Sequence, residues 1–226
     1  MPVVSPVSER STVVALLLLT FATGLADSLS ILVLGHVFVA NMTGNVIFLG
    51  FWLAPRTVID LTAVAVALPT FVCTTIVSGR LSRYFGSRTL PWITLVLATE
   101  ITLLVVLAVL AGTGVLHYND KTKLVMIGIL AVTFGLQHSS ARQFEIRELS
   151  TTVLTSTIVS LGMESRLAGG TGDREKLRLS VVFTMCAGAL VGATMSRFVV
   201  APVFVVTAAV VAISLLIFRF GPRPVS

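Results

Sequence analysis

The chain has 226 residues, of which 55% are hydrophobic and only 12% are charged, and its mean hydropathy is +1.00. Soluble domains carry roughly 25% charged residues, so this composition excludes an ordinary soluble domain. The net charge of +6 does not indicate nucleic-acid binding, because the Lys and Arg residues lie in short segments between apolar runs. The sequence predicts a polytopic membrane protein that contacts membrane lipid and has no nucleic-acid partner.

Six apolar runs are long enough to cross a bilayer, which takes about 20 helical residues. They cover residues 12–34, 58–78, 89–111, 124–141, 179–197 and 199–219. Two shorter runs, 37–54 and 149–162, are interrupted by Asn, Thr, Ser and Gly. The short runs either cross the membrane as well, or enter it and return on the same side.

The distribution of positive charge favours returning short runs, because cytoplasmic segments carry an excess of Lys and Arg. If the short runs return, only Arg56, Lys121, Lys123 and Arg197 of the 16 Lys and Arg residues lie outside. If all eight runs cross, the division is a weaker 10 inside and 6 outside. We therefore predict an all-α integral membrane protein with six transmembrane helices plus two short interrupted or re-entrant helices. It lies in the cell (inner or plasma) membrane with both termini cytoplasmic.

The two halves of the chain resemble each other. The motif "GLADS" at 24–28 matches "GLQHS" at 135–139, and "TGNVIFLG" at 43–50 matches "TSTIVSLG" at 155–162. The sequence thus predicts two repeats of three spans plus a short helix. They follow a tail of residues 1–11, cover 12–116 and 117–220, and precede a tail of residues 221–226. Because three crossings are an odd number, the repeats are inverted, which is a common architecture of transporters.

Asp27 lies within the first apolar run, where a lone carboxylate costs at least ~2.5–3.5 kcal/mol. Two interpretations remain open: a hydrogen-bonded Asp that holds helices together, or a site for a proton, a cation or substrate coupling. The repeat counterpart of Asp27 is His138. We hypothesise that these two ionisable groups meet at the centre of the protein.

The short runs supply further polar candidates. The segment "NMTGN" places Asn41, Thr43 and Asn45 at the start of a short helix, where Asn and Thr are favourable caps. Such a helix would point its positive dipole end at an entering solute. In the second half, Thr151 and Thr155 lie in the corresponding segment. Both sets are interpreted as lining a substrate or ion site, or as caps alone.

Two more polar residues fall within apolar runs. Gln137 precedes His138 and is predicted to line the same site. Glu100 lies in the middle of the third long run and is a secondary candidate, because its repeat position is apolar. An ionisable residue at this depth could pair with an Arg or face a cavity.

The sequence does not indicate an enzyme, a cofactor or a metal site. Catalytic triads, paired carboxylates, zinc-ligand spacings and dinucleotide fingerprints are all absent from it. Cys73 and Cys186 are predicted to be small core residues rather than a disulfide or metal pair, because metal sites need clustered ligands. The sequence allows homo-oligomers but does not specify an oligomeric state.

The first short run and its surroundings resemble the YoaK-type membrane proteins of bacteria and fungi, a family whose function is largely unassigned. The similarity is carried by Gly24 and Asp27, followed by Phe38, Ala40, Asn41, Thr43, Gly44 and Asn45. A second signature matches Gly135, Gln137, Arg142, Thr151, Thr152, Thr155 and Gly162, with His138 and Ser139 departing from the expected small or amide residues. The resemblance implies a multi-span membrane protein and supplies no substrate.

Two functions are compatible with these residues. The leading hypothesis is a small-molecule or ion transporter or channel, with its site between the two repeats. The alternative is a non-transporting scaffold, assembly factor or sensor that uses the same polar groups for packing. A water-accessible cavity at Asp27 would favour transport, whereas a dry and tightly packed centre would favour the alternative.

Overall fold

The computed structural model describes residues 5–53, 59–118, 120–144 and 154–223. Within these ranges the chain forms eight α-helices and no β-strand. The helices are α1 (Glu9–Leu29), α2 (Met42–Gly50), α3 (Leu61–Phe85), α4 (Thr89–Gly112), α5 (Lys123–Ala141), α6 (Leu154–Met163), α7 (Glu175–Ser196) and α8 (Ala201–Phe220). The fold is all-α, as predicted.

Six of these helices are long and apolar enough to cross a membrane, and they correspond to the six predicted runs. The first is extended, because α1 continues without a break as a π-helix over Ser30–Gly35. The prediction of six spans plus two short helices is therefore confirmed. α2 has nine residues and α6 has ten, so each rises only about 14–15 Å, half of a ~30 Å hydrocarbon core.

The first short helix belongs to a segment that returns to its starting level. Gly35 and the left-handed His36 (φ 58°) end the first span, and the backbone amide of Asp60 donates to the carbonyl of Gly35 at 3.4 Å. The chain between them therefore begins and ends at the same point of the fold. Because α2 is also too short to cross, the described part of this segment, residues 36–53, is re-entrant in form.

Helix α1 occupies the centre of the bundle. It packs most extensively against α7 and α8, while α5 packs against α3 and α4, and α4 packs against α8. The short helices lie to the side, α2 on α3 and α6 on α7. At the base of the bundle the amide of Ser8 donates to the carbonyl of Pro222 at 2.7 Å, so the start of α1 and the end of α8 are adjacent.

The contact between α1 and α7 depends on glycine. A Cβ atom at Gly24 would lie 2.8 Å from the backbone nitrogen of Ala189, and one at Gly192 would lie 2.6 Å from the carbonyl oxygen of Leu25. Gly188 approaches the backbone of Phe21 still more closely. Glycines spaced four apart let membrane helices pack backbone against backbone.

The two cysteines are not core residues, which corrects the prediction from sequence. Cys73 on α3 and Cys186 on α7 are both free thiols with exposed side chains on the outside of the bundle. The outer surface of a membrane protein is as apolar as its interior, so an apolar neighbourhood in the sequence does not distinguish the two positions.

Candidate functional site

The Asp27 carboxylate binds the chain segment that precedes α2. Its Oδ1 accepts hydrogen bonds from the amides of Val39 (2.8 Å) and Ala40 (2.9 Å). Its Oδ2 accepts from the amide of Asn41 at 3.2 Å and from the Asn41 side-chain amide. Asp27 itself is 4% exposed. Four donors therefore converge on one buried carboxylate.

This arrangement follows from the path of the re-entrant segment. Gly35 lies eight residues beyond Asp27, or about 12 Å further along the helix, so residues 36–41 run back beside α1 to reach the carboxylate. Residues 37–41 are neither helix nor strand, and their polar backbone groups need partners at membrane depth. Asp27 supplies acceptors for three consecutive amides of this segment.

Asn45 secures the same segment from the other side. Its Oδ1 accepts from the amide of Phe38 at 2.9 Å, and its Nδ2 donates to the carbonyl of Phe38 at 2.6 Å. Both backbone groups of Phe38 are thus bound by one side chain, which is fully buried. The ring of Phe38 stacks on Phe48 of α2, with centroids 5.9 Å apart, and covers Gly44. A side chain at position 44 would collide with that ring.

Asn41 differs from the predicted cap in one respect. It occupies the N-cap position of α2, but its side chain makes no hydrogen bond to the first turn of that helix and donates to Asp27 instead. The carboxylate therefore lies near the positive end of the α2 dipole, where a negative group is favoured. The sequence-predicted residues Asp27, Asn41 and Asn45 form a single cluster.

Gln137 connects the second half of the chain to α1, the helix that carries Asp27. Its Nε2 donates to the carbonyl of Leu19 (3.2 Å) and to the hydroxyl oxygen of Thr23 (3.0 Å), both on α1. Thr23 lies one turn before Asp27 on the same face of α1. Gln137 is 1% exposed, and its Oε1 is buried without a hydrogen-bond donor among the described residues.

His138 does not contact Asp27. The ring nitrogen Nδ1 of His138 lies 2.8 Å from the carbonyl of Phe134, one turn earlier on α5. The ring packs edge-on against Phe71 of α3, with centroids 5.8 Å apart. All hydrogen bonds described for Asp27 come from residues 39–41. The hypothesised meeting of Asp27 and His138 is not made in this conformation.

The remaining predicted residues are placed differently. Thr43 and Thr155 are repeat counterparts, and both side chains are exposed at the outer surface of their short helices. Thr151 and its neighbour Thr152 lie outside the described residues. Glu100 is fully buried within α4, and neither of its carboxylate oxygens has a hydrogen-bond partner in the described structure.

The second short helix is held by a cation rather than an anion. Arg178 near the start of α7 is 6% exposed, donates to the carbonyl of Ser160 at 3.3 Å, and forms a 2.6 Å ion pair with Glu164. Ser160 lies in the last turn of α6, where carbonyl groups lack helical partners and a positive charge is favoured. Thus Asp27 binds at the start of one short helix and Arg178 at the end of the other.

Sequence reasoning missed the partners of Asp27. The amides of Val39 and Ala40 carry no side-chain signal, and only the adjacent "NMTGN" motif indicated irregular backbone there. Thr23 was detectable from its position one turn before Asp27, and Arg178 from its place in the longest hydrophilic segment. Among the residues with described positions, no three His, Cys, Asp or Glu side chains cluster to hold a metal ion.

A polar cavity opens close to the π-helical end of the first span. It has a volume of about 300 Å³ and is lined by Leu32, Val33, Tyr118, Ser196, Arg197 and the residues 198–200. A second, apolar groove of about 480 Å³ lies between α4 and α8, with Ile101, Val105, Ala208 and Ala212 among its lining residues. Neither lining includes Asp27, and the 4% exposure of Asp27 shows that the carboxylate is buried in this conformation.

Six apolar spans and a buried polar cluster define a multi-pass membrane protein whose helices contact lipid. Residues 15–217 match the family model described as "Protein of unknown function (DUF1275)", and the chain belongs to that family. It is also similar to the UPF0700 transmembrane protein YoaK of Bacillus subtilis (strain 168), with 32% identity over 154 residues. That similarity covers 67% of this chain and 65% of the relative. No solved structure matches the chain.

Proposed function

We propose that this protein is a small-molecule or ion transporter or channel of the plasma membrane, and not an enzyme. Its site lies where the re-entrant segment meets α1 and α5. The observation that carries the proposal is the set of four donors, three of them backbone amides, that converge on the buried Asp27 carboxylate. Irregular backbone at membrane depth is tolerated only where it is buried in protein or lines a cavity, and transporters place their sites at such breaks.

The helix packing supports an inverted repeat around this site. In such a repeat, α1 to α4 correspond in order to α5 to α8. The contact of α1 with α7 then corresponds to the contact of α5 with α3, and the contact of α1 with α8 corresponds to the contact of α5 with α4. Both counterparts are major contacts of the bundle, and α2 on α3 likewise becomes α6 on α7. Two halves that pack by the same scheme can rock against each other around a central site.

Transport requires the closed cluster to open. Movement of residues 36–41 away from α1 would release the Asp27 carboxylate and the amides of Val39 to Asn41 together. The polar cavity beside Leu32 and Arg197 lies at the same end of the first span and offers an approach from that side. The alternation of closed and open forms is the step that would carry a solute past Asp27. Both termini lie on the cytoplasmic side in this proposal, in keeping with the positive-inside rule.

The experiment combines a binding screen with uptake. Purified protein is tested for thermal stabilisation by small anions, cations and neutral metabolites, because a ligand stabilises the state that binds it. Any stabilising compound is then offered to proteoliposomes. We expect uptake that Asn41→Ala abolishes and that Thr43→Ala, an exposed neighbour on the same short helix, leaves intact. Equal uptake by both variants would place the site elsewhere.

A non-transporting scaffold or sensor remains the second candidate, and one observation favours it. Asp27, Asn45 and Gln137 are all nearly or fully buried and hydrogen-bonded, as expected of groups used only for packing. At the other side of the fold, Arg80, Arg83 and Arg88 are exposed around the turn between α3 and α4, where a partner or anionic lipid could dock. A Val39→Cys thiol that no water-soluble reagent modifies under any condition would support this candidate over transport.

A further inference from the structure

Glu100 stands apart from every other described carboxylate in the protein. It lies at the midpoint of α4, eleven residues after Thr89 and twelve before Gly112, and it is 0% exposed. Neither of its oxygens has a hydrogen-bond partner among the described residues. One turn away on the same face of α4 are Val96, Leu97 and Leu104, all buried and apolar. The carboxyl group therefore sits in apolar surroundings at the middle of a span.

An ionised carboxylate is not compatible with this environment. Burial without a donor or a counter-charge strongly disfavours the charged form, and such groups take up a proton instead. Asp27 provides the contrast, because four hydrogen-bond donors point at its two oxygens. The two intramembrane carboxyls of the described chain are thus in opposite environments, one saturated with donors and one without any.

We propose that Glu100 is a proton-binding site and that its proton is the coupling ion of the transport proposed above. The coupling role rests on the proposed function, whereas proton binding rests on the surroundings of Glu100 alone. Binding is a simple addition: the carboxylate takes one proton from water when the site is open, and the neutral acid returns that proton to water when the site opens again.

The proton is favoured over a metal cation by the lack of further ligands. Sodium or calcium ions require several oxygen ligands around them, and the neighbouring side chains on α4 supply none. The titratable and charged groups on the helices packed against α4 are Cys73, Arg80, Arg83 and Tyr84 on α3, Lys123 and His138 on α5, and Arg219 on α8. None of these forms an ion pair or hydrogen bond with Glu100 among the described contacts. A single carboxyl group suffices to hold a proton.

A second buried polar atom without a partner lies on the helix packed against α4. Among the described residues, the Oε1 of Gln137 is an acceptor without a donor, and a protonated Glu100 would be a donor without an acceptor. Glu100 lies twelve residues before the end of α4, and Gln137 lies fourteen residues after the start of α5. Because one short connection joins these two packed helices, the two residues differ in depth along the bundle by only about 3 Å. Gln137 also binds Thr23 of α1, the helix that carries Asp27.

The test of proton binding uses the full-length protein in lipid nanodiscs. A protonated carboxylic acid has an infrared carbonyl band that a carboxylate lacks, and a hydrophobic carbodiimide modifies such an acid covalently. We expect the band and the modification at Glu100 in the wild type, loss of both in Glu100→Gln, and retention of both in Asp27→Asn. Glu100→Gln is isosteric with the neutral acid, so its melting temperature should match that of the wild type. A wild-type spectrum with no band assignable to Glu100 would overturn the inference, even if the variant failed to fold.

The test of coupling uses proteoliposomes and separates the two proposals. Glu100→Gln should keep downhill exchange of the solute and lose accumulation driven by a proton gradient. Proton-driven accumulation at the wild-type level in this variant would exclude Glu100 as the coupling site. If the wild type moves no solute at all, the transport proposal and the coupling role fail together, while the infrared result still decides whether Glu100 binds a proton.

Discussion

Lys123 Nζ lies 2.8 Å from the Oδ2 of Asp60, and this ion pair joins the start of α5 to the start of α3. Asp60 also accepts hydrogen bonds from the amides of Thr62 and Ala63 and donates its own amide to Gly35. One residue thus connects the end of the first span, the helix that follows the re-entrant segment, and the first helix of the second half. Asp60 therefore holds these three elements together at this end of the bundle.

The ion pair makes stability depend on pH. Partial burial raises the pKa of Asp60, but the hydrogen bond and charge of Lys123 and the two cap amides outweigh it, so the pKa lies below its usual 3.8. Stability from Asp60 is therefore fully present above pH ~4 and is lost as the pH falls through the lowered value. We expect Asp60→Asn to lower stability at neutral pH by about 0.2–1 kcal/mol, since Asn still caps the helix and both partners are part-exposed.

This prediction is checked by thermal unfolding in detergent at neutral and acidic pH. The difference between Asp60→Asn and the wild type should shrink as the pH falls below 3.8 and vanish once Asp60 is protonated in the folded protein as well. Asp173→Asn is the matched control, because Asp173 lies just before α7 at the corresponding position, is exposed, and has a carboxylate without an ion pair among the described residues. A constant difference across the pH range would mean that the charge of Asp60 contributes nothing.

Removal of the Asp27 carboxylate should loosen the re-entrant segment. Asp27→Ala leaves the buried amides of Val39 and Ala40 and the part-buried amide of Asn41 without acceptors, and each such buried group costs about 1–3 kcal/mol. We expect a loss of at least about 3 kcal/mol and a new accessibility of a Val39→Cys thiol to water-soluble reagents. Asp27→Asn should fall between, because it keeps one acceptor oxygen but turns an NH₂ group toward the amides. Thr43→Ala serves as the control, and an Asp27→Ala protein as stable as that control would contradict the cluster.

The spans of this protein are predictable from its sequence more completely than its site, for a physical reason. Spans follow from length and apolar composition, so all six were predictable. Asp27, Asn41 and Asn45 were predictable as a polar set because polar groups are costly in lipid. Their partners were not, since a backbone amide has no signature in the sequence. Cys73 was misplaced because an apolar residue facing lipid and one facing the core look alike.

Close packing of α1 and α7 gives a sharp test with an internal control. Gly188→Ala would place a methyl group against the backbone of Phe21, which cannot move as a flexible side chain can. We expect a loss of about 1–3 kcal/mol, typical of overpacking, measured as a lower melting temperature in detergent. Gly79→Ala on α3 is the control, because Gly79 is the repeat counterpart of Gly192 and nothing lies within 4 Å of its added Cβ. A helical Gly→Ala change there should be neutral or stabilising.

If Gly188→Ala and Gly79→Ala unfold alike, the helices do not approach as closely as described. Gly192→Ala tests the same contact at a second position. Its added Cβ would lie 2.6 Å from the carbonyl oxygen of Leu25, so this variant should be destabilised like Gly188→Ala. A wild-type-like Gly192→Ala protein would count against the contact from a second position.

The membrane topology predicts which connections share a side. Six crossings with a re-entrant first short segment place Ser87, between α3 and α4, opposite to Lys121, between α4 and α5, and on the same side as Ser5 near the N-terminus. Single cysteines at these exposed or partly exposed positions, in a Cys73→Ser and Cys186→Ser background, can be labelled in intact cells with a membrane-impermeant maleimide. We expect labelling from outside only at Lys121→Cys. Labelling at Ser87→Cys and not at Lys121→Cys would invert the orientation. Labelling at both positions would mean that α4, the one helix between them, does not cross the membrane. The first half would then have an even number of crossings, and the inverted architecture, which needs an odd number, would be excluded.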